Sequence, residues 1–155
     1  MLLKIITPAE NPNWPKVWKS VENILIQNSD VWNRLYTIEA ICQLIETGRF
    51  QLWIGFEEKE EKNYTDNIDF VIVTKIVPYP RANIMHYEIA AGCKLIENLE
   101  TVVPLIEEIA IRSGINYMVF TGRVGFLKYF LKNGYDADIH QVVKTLKTYP
   151  TKEVH

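Results

Sequence analysis

The 155-residue chain has few cysteines, few histidines, only seven glycines and no long hydrophobic run. Its two cysteines, Cys42 and Cys93, are too few for a disulfide framework. That excludes a secreted disulfide scaffold and fits reduced thiols in a cytosol-like compartment. The three histidines, His86, His140 and His155, stand apart without Cys/His ligand spacing, so no metal site is expected. No apolar stretch approaches the roughly 20 residues that span a bilayer, so no membrane is expected as a partner. Residues 1–8 are too short an apolar stretch for a signal peptide and have no basic lead. An excess of one charge is missing too: 17 basic residues against 19 acidic ones leave a net charge of −2. Binding to nucleic acid draws on many neutralised phosphates, so this balance excludes a bulk polyanion binder.

What is present is a globular mixture, 48% hydrophobic and 23% charged, which excludes a fibre or a disordered chain. The length suits one domain that can bury roughly 70% of its extended surface. Residues 1–147 are expected to form that domain, with 148–155 a short frayed tail.

The periodicities predict an order of elements. Residues 2–7 form a first strand, and Asn11-Pro12-Asn13 breaks the chain. From Trp14, the residues Val17, Trp18, Val21, Ile24 and Leu25 recur at helical spacing, with Pro15 in the first turn. A second helix covers 37–47 on an Ile38, Ile41, Cys42, Ile45 stripe, with Gly48 as its stop. Residues 50–57 form a strand. The charged run 57–67 has almost nothing to bury and reads as a solvated hairpin loop. Residues 68–77 and 83–91 complete an antiparallel meander around a Pro78-Tyr79-Pro80-Arg81 turn.

The pattern then changes. Val102, Ile106, Ile109 and Ala110 define a helix with Thr101 as candidate N-cap and Gly114 as stop. Residues 117–121 form a short strand. A helix over 124–133 turns Phe126, Leu127, Phe130 and Leu131 inward and ends at Gly134, and 139–146 form a last strand. The sum is a mixed α/β sheet in the order β-α-α-β-β-β-α-β-α-β.

Two segments carry more than element order. Glu107-Glu108-Ile109-Ala110-Ile111-Arg112-Ser113-Gly114 and Gly122-Arg123-Val124-Gly125-Phe126-Leu127-Lys128-Tyr129-Phe130-Leu131-Lys132-Asn133-Gly134-Tyr135 resemble the end of the cofactor helix, and the following helix, of the GNAT acyltransferase superfamily. The Gly-Arg-x-Gly-aromatic form of the second segment is similar to small GNAT-like proteins of tailed bacteriophages. Element order matches over nearly the whole chain, whereas family-like sequence covers only the last third.

The resemblance implies a coenzyme A site and exposes two departures from it. Active relatives carry an Arg/Gln-x-x-Gly-x-Gly/Ala loop, whose glycines let backbone N–H groups hold a pyrophosphate at a helix N-terminus. This chain has Cys93-Lys94-Leu95-Ile96-Glu97-Asn98-Leu99-Glu100-Thr101 there, with no glycine and two carboxylates. One carboxylate about 5 Å from a phosphate charge costs on the order of 3 kcal/mol at an effective dielectric of ~20. That is more than a hundredfold in affinity. Lys94 compensates only in part. The family's general acid is a tyrosine four residues before the Gly-aromatic pair, and here that position is Phe130. Tyr129, next to it, is about 100° around the helix.

The remaining candidates follow from chemistry. Alternation places His86, Glu88 and Ala90 on one face of a strand and Met85, Tyr87 and Ile89 on the other. His86 or Glu88 is then a candidate base, or simply part of the polar side of a half-buried strand. Ala90, Ala91 and Gly92 are small enough for a ligand, or a helix, to lie along the strand. Cys42 reads as core filler, and Cys93 lacks a partner base. Gly122-Arg123-Val124-Gly125 is too short for a P-loop and has no lysine. Trp14 and Trp32 stand in polar surroundings, as interface tryptophans do, whereas aromatic area of this size is otherwise core.

The expectation is a GNAT-like domain with a degenerate coenzyme A loop and no cofactor, a non-catalytic binding or assembly protein of bacterial cytoplasm or of a phage particle. Its partner is a protein, touched through Arg123, Trp14 and Trp32. The alternative is an acetyl-CoA-dependent N-acetyltransferase acting on an unidentified amine. It would use His86 or Glu88 as base and Tyr129 as acid, with Ala90, Ala91, Gly92, Lys94, Asn98 and Thr101 against the cofactor.

Overall fold

Apolar strands with two buried faces need helices on both sides, and the computed structural model supplies them. It describes residues 1–122, 124–137, 144 and 146. The strands β1 (Leu2–Ile6), β2 (Phe50–Phe56), β3 (Phe70–Tyr79), β4 (Ala82–Gly92) and β5 (Tyr117–Phe120) lie in the sheet in sequence order. Pairings up to β4 are antiparallel, and β4–β5 is parallel. A parallel pair needs a crossover, and α3 (Leu99–Arg112) provides it.

One face packs on α1 (Trp14–Gln27) and α2 (Ile38–Glu46), where Val17, Val21, Leu25, Ile41 and Ile45 meet Leu52, Ile54, Val71 and Val73. The other face packs on α3 and α4 (Val124–Lys132), where Leu99, Val102, Ile106 and Phe130 meet Trp53, Phe70 and Ile72. The glycine stops act as read, and a threonine caps the second helix. The Thr37 side chain accepts from the Ala40 N–H at 3.1 Å and caps α2, and Gly114 and Gly134 follow their helices with positive φ.

The structure corrects several expectations. Residues 58–66, which connect the antiparallel β2–β3 hairpin as expected, are wound into 3₁₀ turns. Tyr64 anchors them by stacking on Phe56 at 5.3 Å, with the Lys4 ammonium 4.7 Å from its ring centre. The hairpin between β3 and β4 is tighter than expected: Tyr79 pairs with Ala82, leaving only Pro80 and Arg81 in the turn. Thr101 lies inside α3, because a 3₁₀ turn at Ile96–Asn98 starts the helical path earlier. Ile109 and Leu131, read as inward, are 36% and 54% exposed. The last expected strand, the tail and Arg123 lie outside the described residues.

The most consequential correction is in β4. Val73 pairs with Ile89 and the next residue, Thr74, with Tyr87, so Glu88 is an extra residue, a β-bulge. Paired residues share a face, so the bulge reverses the alternation. Met85 and Tyr87 join the α3–α4 core, whereas Ile89 and Ala91 join the α1–α2 core. Ala90 therefore leaves the face that His86 and Glu88 were expected to share with it.

Candidate functional site

The bulge and the end of β5 create a cleft together. The β4–β5 ladder stops at Tyr87–Phe120, so the β5-facing edge of residues 88–92 has no strand partner among the described residues. A cleft of about 420 Å³ opens there. Residues 87–92 form one wall, Phe120, Thr121, Gly122 and Phe126 the opposite one, and Asn28, Asp30 and Val31 the α1 end. Leu95 and Ile96 stand at the head of α3. Gly92 has φ +119, and a Cβ there would stand 2.5 Å from the Asp69 carbonyl oxygen, so backbone crowding already requires glycine.

Glu88 is the one carboxylate that the sheet itself brings to this cleft. Its side chain is 13% exposed. The Tyr36 hydroxyl donates to its Oε2 at 2.9 Å, and the Lys75 ammonium lies 3.2 Å from Oε1. Burial, the bond to Glu88 and that residue's charge push the Tyr36 hydroxyl up to about 12, so it stays a donor at neutral pH. His86 pairs with Lys75 across the ladder but does not line the cleft. Burial holds its imidazole below the ordinary range; the Glu88 charge opposes that and Lys75 adds to it. The structure thus separates the two candidate bases: Glu88 is among the residues of the cleft wall, with its carboxylate held by Tyr36 and Lys75, and His86 is not.

The expected acid positions fall elsewhere. Phe130 is 3% exposed, stacked on Phe120 at 4.4 Å and edge-on to Tyr135 at 4.6 Å. Tyr129 is not among the cleft residues; burial, then the charges of Glu107 and Glu100, raise its hydroxyl, which sets it toward α3. The tyrosine that does border the cleft is Tyr87, whose hydroxyl is 3.3 Å from that of Tyr135. Tyr135 donates to Glu107 Oε2 at 2.8 Å, so Tyr87 is the donor in the first contact.

At the nucleotide end, the coenzyme A that the fold implies does not fit. Lys94 is the only non-glycine described with a positive φ, +63, and its ammonium is turned to Glu57 at 2.5 Å and Asp69 at 3.7 Å. Asn98 donates to the Lys94 carbonyl at 2.6 Å, and Thr101 is exposed on α3. None of the three borders the cleft. In their place stands Ile96, 62% exposed, with Glu97 and Glu100 exposed beside it. A diphosphate there would meet an apolar side chain and two carboxylates, with Lys94, the one nearby cation among the described residues, already paired. Ala90, Ala91 and Gly92, by contrast, do line the cleft.

The two tryptophans expected as partner anchors are tied into the fold. Trp14 donates to Glu46 Oε2 at 3.1 Å, Trp32 donates to the Leu25 carbonyl at 2.8 Å, and both pack on the α1–α2 core. Cys42, read as core filler, is only partly buried and donates to Glu46 Oε1 at 3.4 Å; burial, with Glu46 and then Glu22, pushes its thiol up to about 12. Sequence reasoning missed Tyr36, Lys75 and Ile96. Lys75 was recoverable, because it lies directly across from His86 once the meander is aligned. Tyr36, in a loop 52 residues from Glu88, left no such signal.

No protein-family model and no curated protein matches the chain. Solved structures do. An acetyltransferase of Trypanosoma brucei superposes with a TM-score of 0.64 at 12% identity, covering 94% of this chain and 99% of its own. A ribosomal-protein-alanine N-acetyltransferase from Brucella melitensis gives 0.64 at 10% identity, covering 94% and 100%. Glucosamine-6-phosphate N-acetyltransferase from Arabidopsis thaliana gives 0.61 at 15% identity, covering 95% and 100%. The chain has the GNAT acetyltransferase fold.

Proposed function

We propose that this GNAT-fold domain transfers an acyl group from a thioester to an amine, with Glu88 accepting the amine's proton. The observation that carries the reading is Glu88 itself. It is the extra residue of a bulge, oriented by Tyr36 and Lys75, at the wall of an open cleft between separating strands. A carboxylate fixed in this way binds an ammonium group and takes a proton from it, which frees the nitrogen lone pair that then attacks.

The test is thiol release from S-acetylpantetheine and from acetyl-CoA, with spermidine, glucosamine and a lysine-containing peptide as acceptors. Glu88→Gln is expected to slow release at least ~100-fold, with an unchanged melting temperature. No release by the wild type with either donor, or full activity of Glu88→Gln, refutes the assignment.

A second reading, a non-catalytic binding or assembly protein, is favoured by Phe130, which occupies the general-acid position as part of an aromatic core. The resemblance to phage proteins makes that protein an accessory or virion component. Co-sedimentation with assembled particles, together with no thioester binding by calorimetry, would support it. Micromolar thioester binding would refute it.

A further inference from the structure

We infer that the donor of this cleft is a thioester on a pantetheine-length amide arm with no nucleotide at its far end. This rests on the acyl-transfer reading and narrows its donor. The cleft offers the arm what it needs: a strand edge at residues 88–92 with no strand partner among the described residues for the amides, and the small residues Ala90 and Gly92 beside it. Recognition ends at the head of α3. There Ile96 reaches across toward α4, its Cδ1 only 4.0 Å from where a Cβ on Gly125 would stand. The Ile96 side chain therefore stands between the heads of the two helices, beside the cleft.

Charge points the same way. The described cleft residues include no lysine, arginine or histidine. Lys94, the nearest cation on the connecting segment, is paired to Glu57 and Asp69. At the head of α3 a nucleotide's phosphates would meet the exposed carboxylates of Glu97 and Glu100, whereas the neutral arm would carry no such penalty.

The step balances without the nucleotide. The amine nitrogen attacks the thioester carbon, the C–S bond breaks and the sulfur leaves as a thiolate. The nitrogen's proton passes to Glu88 and from there to solvent, from which the thiolate is reprotonated.

Calorimetric titration of the wild-type chain with S-acetylpantetheine and with acetyl-CoA tests the inference, with ADP as a competitor. S-acetylpantetheine is expected to bind at least as tightly as acetyl-CoA, within about threefold, and ADP to displace neither. Acetyl-CoA binding more than about threefold tighter, or displacement by ADP, overturns the inference while leaving acyl transfer standing. Binding of neither donor overturns acyl transfer itself, and this inference with it.

Discussion

The aromatic group behind the cleft makes a prediction that can be worked through in numbers. Tyr87 is 6% exposed, and its hydroxyl meets that of Tyr135, which donates in turn to Glu107. Burial raises both hydroxyls above their ordinary 10.0; the bond from Tyr87 to Tyr135 opposes the rise at Tyr87, and Glu107 adds to both. Both therefore keep their protons in the folded state at a pH where the unfolded chain has begun to lose them. The stability they contribute is complete below the unfolded value of about 10 and falls as pH rises above it. Each fully buried tyrosine gives a slope of about 1.4 kcal/mol per pH unit. Tyr135 is only half-buried and its share is smaller, so the pair gives about 2 kcal/mol per unit. Against a typical total of about 5–15 kcal/mol, two pH units remove a large part of the stability. Urea midpoints measured at several pH values from neutral to strongly alkaline should fall more steeply for the wild type than for Tyr87→Phe with Tyr135→Phe. That variant starts lower because Glu107 loses its donor. Equal alkaline slopes for the two chains would refute the reasoning, as would phenolate absorbance that rises in full near pH 10 without unfolding.

Two further predictions concern the sheet that carries the site. Thr74, buried, accepts from the Trp53 indole N–H at 3.0 Å and donates to Gln51 at 2.9 Å, so Thr74→Val leaves a core donor unpaired. A loss of about 1–3 kcal/mol is expected in chemical denaturation, and a loss under 0.5 kcal/mol would contradict it. Gly92→Ala must place a Cβ against the Asp69 carbonyl and the Phe70 Cα at a φ of +119. A loss above about 2 kcal/mol, with reduced thioester binding, is expected; a neutral melting curve would argue against the crowding.

Much of the architecture was readable because its signals are local. Val17, Val21 and Leu25 fall at i, i+4 and i+8, and Thr37 and Gly48 bracket α2, so element order follows from period and punctuation alone. The bulge was not readable. His86 to Gly92 reads as unbroken alternation, and only the register against Val73 and Thr74 reveals the extra residue. The start of α3 failed for a related reason: Thr101 is a good cap by type, but buried Leu95 and Leu99 pull the chain into helical turns sooner. Of the candidate site, Glu88 and the small residues after it were legible as strand residues. Their partners Tyr36 and Lys75 were set by tertiary packing. The loss of a phosphate cradle was visible as an absence of glycine, whereas the pairing of Lys94 with Glu57 and Asp69 required coordinates.

Because Glu88 is the surplus residue of β4, its deletion should cost far less order than its place in the middle of the strand suggests. With it removed, Tyr87 would still meet Thr74 and Ile89 would still meet Val73, so the strand would close into an unbroken ladder with both cores in place. A strand shortened at this point would lose its carboxylate and keep its packing.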